Sequence, residues 1–224
     1  MRHPAKGTMW LATLVGMTLL VSGCTSGKLP EVSDDGLLRT VRTSNGAIYE
    51  APDLDLHEYG KIVVEECTVR FREDWQREQN RDRTPARQIT TADMQMIAES
   101  LGGSCHRIFD AALAQVDLGT GDVPGQGRIL EVRPEIVDLD IAPPDLQSPG
   151  MDRTYTTNPG QMTLHLELVD AASGAVVGRV VDHRRARDTA TLLEMSAARN
   201  QIEMKFILEQ WATMVREHLE ASVD

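Results

Sequence analysis

The chain predicts an α+β domain, a two-layer sandwich of a mixed, mostly antiparallel sheet with two helices on one face. Three observations carry this. Residues 90–116 and 196–221 each place apolar side chains at steps of three and four along a single stripe. Several other segments alternate apolar and polar side chains with a period of two. The elements follow in the order β-α-β-β-β-α after a small N-terminal β segment. One strand-helix-strand crossover, expected to be right-handed, is therefore followed by strands free to run antiparallel.

The first 24 residues stand apart from that domain. Arg2 and Lys6 form a short positive region, and residues 8–20 are apolar over a signal-peptide length, too short for a comfortable span. Val21-Ser22-Gly23-Cys24 then resembles the lipobox of bacterial lipoproteins. The alternative is an ordinary secretory signal with a chance Cys, but the run sits where the apolar stretch ends. A lipobox implies cleavage before Cys24, a diacylglycerol on its thiol, and a further acyl chain such as palmitate on the new α-amino group. Several chains anchor a protein stably where one does so marginally, since each buried CH₂ contributes about 0.8 kcal/mol. Thr25 stands where an Asp would resemble an inner-membrane retention signal, which favours the outer membrane, periplasmic face. The expected organisation is a signal peptide over 1–23, a lipidated tether over 24–36 and one periplasmic domain over 37–224.

Removing residues 1–23, with two basic and no acidic side chains, takes the formal net charge from −11 to −13. That opposes nucleic acid and anionic lipid surfaces as partners. Aromatic residues make up only 4%, too few to suggest a stacking platform for bases or sugars. A chain of this length can bury roughly 70% of its unfolded surface in one core. With Cys24 acylated, Cys67 and Cys105 remain. In an oxidising periplasm they either bridge or stay as two buried thiols. A bridge across their separation of 38 residues would stabilise by about 4 kcal/mol through chain entropy.

Leu37 to Glu50 reads as a weak strand pair around Asn45-Gly46, a hairpin signal. Lys61 to Phe71 is a strong strand, with Val63, Cys67, Val69 and Phe71 sharing one face and Glu65 interrupting it. The charged run over 72–88 is either a docking surface anchored by Trp75 or a solvated loop. Thr90 and Asp93 resemble a capping box, opening a helix whose stripe holds Met94, Ile97, Leu101, Cys105, Ile108 and Ala112. Gly102-Gly103 inside it marks a kink or a close approach to the sheet. Residues 117–127 form a Gly-rich loop that lacks the Lys of a phosphate loop. Arg128 to Ala142 is a long strand whose apolar phase switches near Pro134, which suggests a bulge or an edge there. Residues 143–160, with four prolines, are either a binding loop or a plain solvated one. Met162 to Val169 alternates cleanly, Asp170 to Gly174 turns, and Ala175 to Asp182 returns. The basic run His183-Arg184-Arg185-Ala186-Arg187 could meet an anionic partner or simply cap the strand with charge. In the last helix Met204, Ile207, Leu208, Trp211, Met214, Val215 and His218 fall on one stripe, the pattern of core packing.

No convergent catalytic set is present. There is no Gly-x-Ser-x-Gly elbow, no His-Glu-x-x-His, and no His or Cys spacing that suits zinc. His165 and His183 could approach across their hairpin, without acidic partners. No cofactor, metal site or catalytic residue is expected.

Ser33-Asp34-Asp35-Gly36-Leu37, Tyr59-Gly60-Lys61-Ile62-Val63-Val64, Leu166-Glu167-Leu168-Val169-Asp170 with Ser173-Gly174, and Gln210-Trp211-Ala212 occur in this order. With the lipobox, they make the chain similar to the uncharacterised bacterial lipoproteins of the domain of unknown function 3313 family. The resemblance implies an extracytoplasmic lipoprotein and no established activity. The charged stretch between Phe71 and Thr90 lies outside it.

The expectation is a non-enzymatic lipoprotein of the cell envelope, anchored to the membrane through Cys24 and acting by contact with an envelope protein. Trp75, the loop over 143–160, or Arg184, Arg185 and Arg187 would supply the partner surface. The alternatives are a module that binds a small molecule or an envelope polymer, and a hydrolase with an unrecognised site.

Overall fold

The structure, a computed structural model, describes residues 29–118, 127–142, 154–156, 160–186, 193–195 and 197–223. The signal, Cys24, Arg187 and most of the loop over 143–160 lie outside the described residues. Within them, β1 (Leu38–Arg42) and β2 (Gly46–Glu50) form the hairpin at Asn45-Gly46. β3 (Tyr59–Val64) and β4 (Thr68–Phe71) follow, then a short helix α1 (Trp75–Gln79) and the long helix α2 (Thr91–Leu113). β5 (Arg128–Ile141), β6 (Thr154–Thr156), β7 (Gly160–Asp170), β8 (Val176–Arg185), β9 (Leu193–Met195) and α3 (Ala197–Val223) complete the order.

The main sheet runs β1-β2-β8-β7-β5-β3, with β4 also paired to β5. β3 and β4 are parallel to β5, and the pairings from β5 through β7 and β8 to β1 are antiparallel. This is a mixed, mostly antiparallel sheet, as the sequence predicts, with helix α2 in the β-α-β crossover. β6 and β9 form a separate two-stranded pair that the periodicity did not reveal. Helix α2 begins at the Thr90 cap: the hydroxyl accepts from Asp93 N, and the Asp93 carboxylate accepts from Thr90 N at 2.8 Å.

One core lies between the sheet and the two helices. Leu130, Val132, Ile136, Leu139, Met162, Leu164, Leu166 and Val180 from the strands meet Cys105, Phe109, Leu113, Leu208, Trp211 and Val215 from α2 and α3. Cys67 and Cys105 are joined by a disulfide, Cα to Cα 6.0 Å, which ties the start of β4 to the buried face of α2.

Two sequence expectations are corrected here. The strand expected over Lys61 to Phe71 is broken at Glu65 to Cys67, and the break changes its parity. Ile62 and Val64 join Cys67, Val69 and Phe71 at the core, so Val63 does not share their face. The reason is visible in the neighbour. Glu65 N donates to Val132 O at 2.9 Å, so even-numbered residues of β5 aim their polar backbone at this edge. Pro134 has no N–H to offer there, and the ladder lapses between Val64–Val132 and Thr68–Glu135. The second correction concerns the phase switch in β5. Pro134 pairs in register with Leu166, and the bulge falls at Val137 to Asp140 instead. Asp138 there takes φ 52, a left-handed conformation that Asp tolerates better than most residues. The extra residue keeps Leu139 and Ile141 on the same core as Leu130 and Ile136.

Gly102 is settled as a close approach. A Cβ there would lie 2.5 Å from Cys67 O, whereas at Gly103 the nearest atom is an Arg107 nitrogen at 3.5 Å.

Candidate functional site

Helices cover one face of the sheet, and strand alternation sends the opposite set of side chains to the other face. Register places Arg39, Tyr49, Arg179, Glu167 and Arg133 in one row across five strands. The adjacent row holds Ala47, Val181, His165, Glu135 and Thr68. A shallow open groove of about 880 Å³ runs over this face, bounded by Glu65, Glu66, Glu131, Arg133, His165 and Glu167 among others.

The charges on the face are mostly paired. Arg179 reaches Glu167 at 3.0 Å and Asp35 at 2.6 Å. Arg70 meets Glu135 at 2.7 Å across β4 and β5, and Arg133 meets Glu131 at 2.6 Å along one strand. The hydrogen bond from Arg179, then one from Ser33, holds the Asp35 carboxyl below its ordinary value. Glu65, Glu66 and His165 stand exposed in the groove lining. The groove lining carries five Glu against two Arg, so the face is net acidic.

At the β1 and β2 end this face is covered. Leu37, Ala47 and Tyr49 form a small buried cluster on the outer side of the sheet. The segment leading into β1 lies over it: Tyr49 Oη donates to Pro30 O at 3.0 Å, and Arg39 Nη1 donates to Pro30 O at 3.2 Å.

Trp75 is not part of any exposed surface, which corrects the docking role considered from sequence. Its side chain is fully buried, its ring lies 4.5 Å from that of Phe71, and Nε1 donates to Ile141 O at 3.1 Å. The charged residues around it made the segment look like surface; α1 turns the indole inward under the end of β5. The basic cluster is likewise divided, by strand alternation. Arg184 points to the helix side, where Nε meets the buried Asp182 at 2.9 Å and the guanidinium also contacts Gln210. Asp182 accepts in addition from Trp211 Nε1 at 2.9 Å and Thr43 Oγ1 at 3.0 Å. Arg185 points to the opposite side and bonds Gln161 at 3.1 Å. Arg184 and Arg185 therefore do not form one patch, and Arg187 lies outside the described residues.

His183 sits on the open face one row from His165, but its Nδ1 takes Thr163 Oγ1 at 3.1 Å. No group of three or more His, Cys, Asp or Glu among the described residues is placed to hold a metal ion. Asp170, fully buried, serves the turn between β7 and β8: it accepts from Ala172 N at 2.7 Å, Ser173 N at 2.9 Å and Tyr59 Oη at 3.3 Å, and contacts Arg128. No described helix is long and apolar enough to cross a membrane.

No protein-family model matches the chain, and no curated protein matches it. Among solved structures, the PelC dodecamer from Paraburkholderia phytofirmans aligns with 13% identity over 78% of this chain and 97% of that one, TM-score 0.37. A candidate lipoprotein from Caulobacter crescentus aligns with 16% identity over 54% of this chain and 81% of that one, TM-score 0.31. A Xanthomonas campestris protein of the DUF330 family aligns with 14% identity over 82% of this chain and 93% of that one, TM-score 0.30. At such scores the likenesses carry no argument about what this chain does.

Proposed function

We propose that this chain is an outer-membrane lipoprotein of the domain of unknown function 3313 type, anchored through Cys24 and facing the periplasm. It has no enzymatic activity and works by docking an envelope protein on the uncovered face of its sheet. The observation that carries this reading is the face itself: β4, β5, β7 and β8 present polar and charged side chains in register with no helix over them. Its five Glu against two Arg suit a partner whose contact surface is basic. The lipobox-like run supplies the anchor.

A photo-crosslinker at His165 and another at Met96, on the far side of α2, test this in cells. One envelope protein should be captured from position 165 and not from position 96. Capture should fall in a Glu65→Lys/Glu66→Lys variant whose melting midpoint is unchanged, and it should disappear in Cys24→Ala. Equal capture from both positions, or capture indifferent to the charge reversal, would sink the proposal.

A further inference from the structure

The segment that leads out of the domain is pinned to the β1 edge, and its apolar side chains are left exposed there. Arg39 N donates to Glu31 O at 2.9 Å, and Val32 pairs with Leu38 in an isolated antiparallel bridge. Directly opposed residues of such a bridge project to the same side. Asp35 is held by Arg179 at 2.6 Å, and Pro30 by Tyr49 and Arg39. Leu29, Val32 and Leu38 are 38%, 52% and 42% exposed, three of the six large apolar side chains exposed among the described residues. The charges beside them offset one another. Arg39 lies 3.7 Å from Glu31, and Arg42 and Asp34 are both exposed.

We propose that this edge rests on the phospholipid leaflet that holds the anchor, with Val32 and Leu38 at the boundary of headgroups and acyl chains. The inference rests on the acylation of Cys24 proposed above. Four residues separate Cys24 from Leu29, and the five Cα-to-Cα steps between them span at most about 17 Å when extended. Because the strap beyond Leu29 is bonded to the sheet, no further chain can lengthen the tether. An acylated Cys24 therefore keeps the β1 edge at the bilayer, close enough for apolar side chains to enter the interfacial zone, about 5–10 Å deep. The sheet stands on its β1 edge, the β3 and β4 edge points away, and the open acidic face is turned sideways, accessible to a partner.

Acylated full-length protein in phosphatidylcholine vesicles containing a brominated lipid tests the orientation. A fluorophore is placed on one introduced thiol at a time: Val32→Cys, Leu38→Cys, Met96→Cys or Ile202→Cys. The bridge between Cys67 and Cys105 and the acylated Cys24 leave no competing thiol. Protein that floats with the vesicles should lose fluorescence at positions 32 and 38 and keep it at 96 and 202. Floating protein without quenching at 32 and 38, or with equal quenching at all four, overturns the orientation and leaves the anchor standing. Protein that neither floats nor carries acyl mass overturns the anchor, and this inference with it.

Discussion

Replacing Trp75 with Ala separates a core role from a docking role. The indole is fully buried, packs at a tilt against Phe71 and donates to the Ile141 carbonyl at 3.1 Å. Truncating a buried Trp costs about 3–5 kcal/mol through lost burial and the residual cavity. That is a large share of a total stability of about 5–15 kcal/mol. Near the middle of the range, about 4 kcal/mol, the melting midpoint of a domain this size falls by roughly 8–16 °C, at about 2–4 °C per kcal/mol. Trp75→Phe keeps most of the apolar contact and loses the hydrogen bond, so it should cost closer to about 1–2 kcal/mol. Thermal melts followed by far-UV circular dichroism, under oxidising conditions, give both numbers. An Ala variant with a wild-type midpoint would mean the indole is not part of the core, and would return it to the role of an exposed anchor.

Two further outcomes are expected. Gly102→Ala should destabilise the fold by about 1–3 kcal/mol through overpacking, because the new Cβ meets the Cys67 carbonyl at 2.5 Å. Gly103→Ala should stabilise by up to about 1 kcal/mol through helix propensity, so urea midpoints moving in the same direction would contradict the packing. The hydrogen bond from His218, and then one from Thr40, holds the Glu50 carboxyl below its ordinary value of 4.5 against the opposing effect of burial. The stability this group contributes is therefore complete above that ordinary value and is lost as pH falls through the depressed one. The stability gap between wild type and Glu50→Gln should shrink as pH falls below the ordinary value and through the depressed one; a gap that widens in acid would show that the carboxylate is not the stabilising form.

Local features with a strong period were legible in the sequence. The stripe from Met94 to Ala112, the Thr90 and Asp93 cap, and the alternation from Met162 to Val169 each depend on neighbours a few residues away. The misread features depend on the strand alongside. From sequence Pro134 suggests a bulge or an edge in its own strand, yet its missing N–H acts on the edge facing it, where β3 gives way to β4. The bulge at Asp138 leaves no sequence signal beyond a change of parity. β6 and β9 are three residues each and too short to show a period. Trp75 sits among charged side chains, and only the fold reveals the carbonyl that receives its N–H. The division of Arg184 from Arg185 was available from alternation alone, because adjacent strand residues face opposite sides. The open face was half legible: the parity of Thr163, His165 and Glu167 marks it, but which charges pair across it needs the register.

That register also sets what the face can do. Arg179 is shared between Glu167 and Asp35, and Asp35 belongs to the strap that approaches the proposed anchor. A partner drawing Glu167 into a new ion pair would leave Arg179 to Asp35 alone and would act on the strap through one guanidinium. Exposed pairs of this kind contribute only about 0–1 kcal/mol each, so exchanging them costs little and the contact should be reversible and weakened by salt. The buried pair on the other side behaves oppositely. Asp182 is enclosed by Arg184, Trp211 and Thr43, and removing one partner would strand a buried charge. The two faces of β8 thus hold a fixed arginine, Arg184, under the helix and an exchangeable one, Arg179, on the side where a partner would dock.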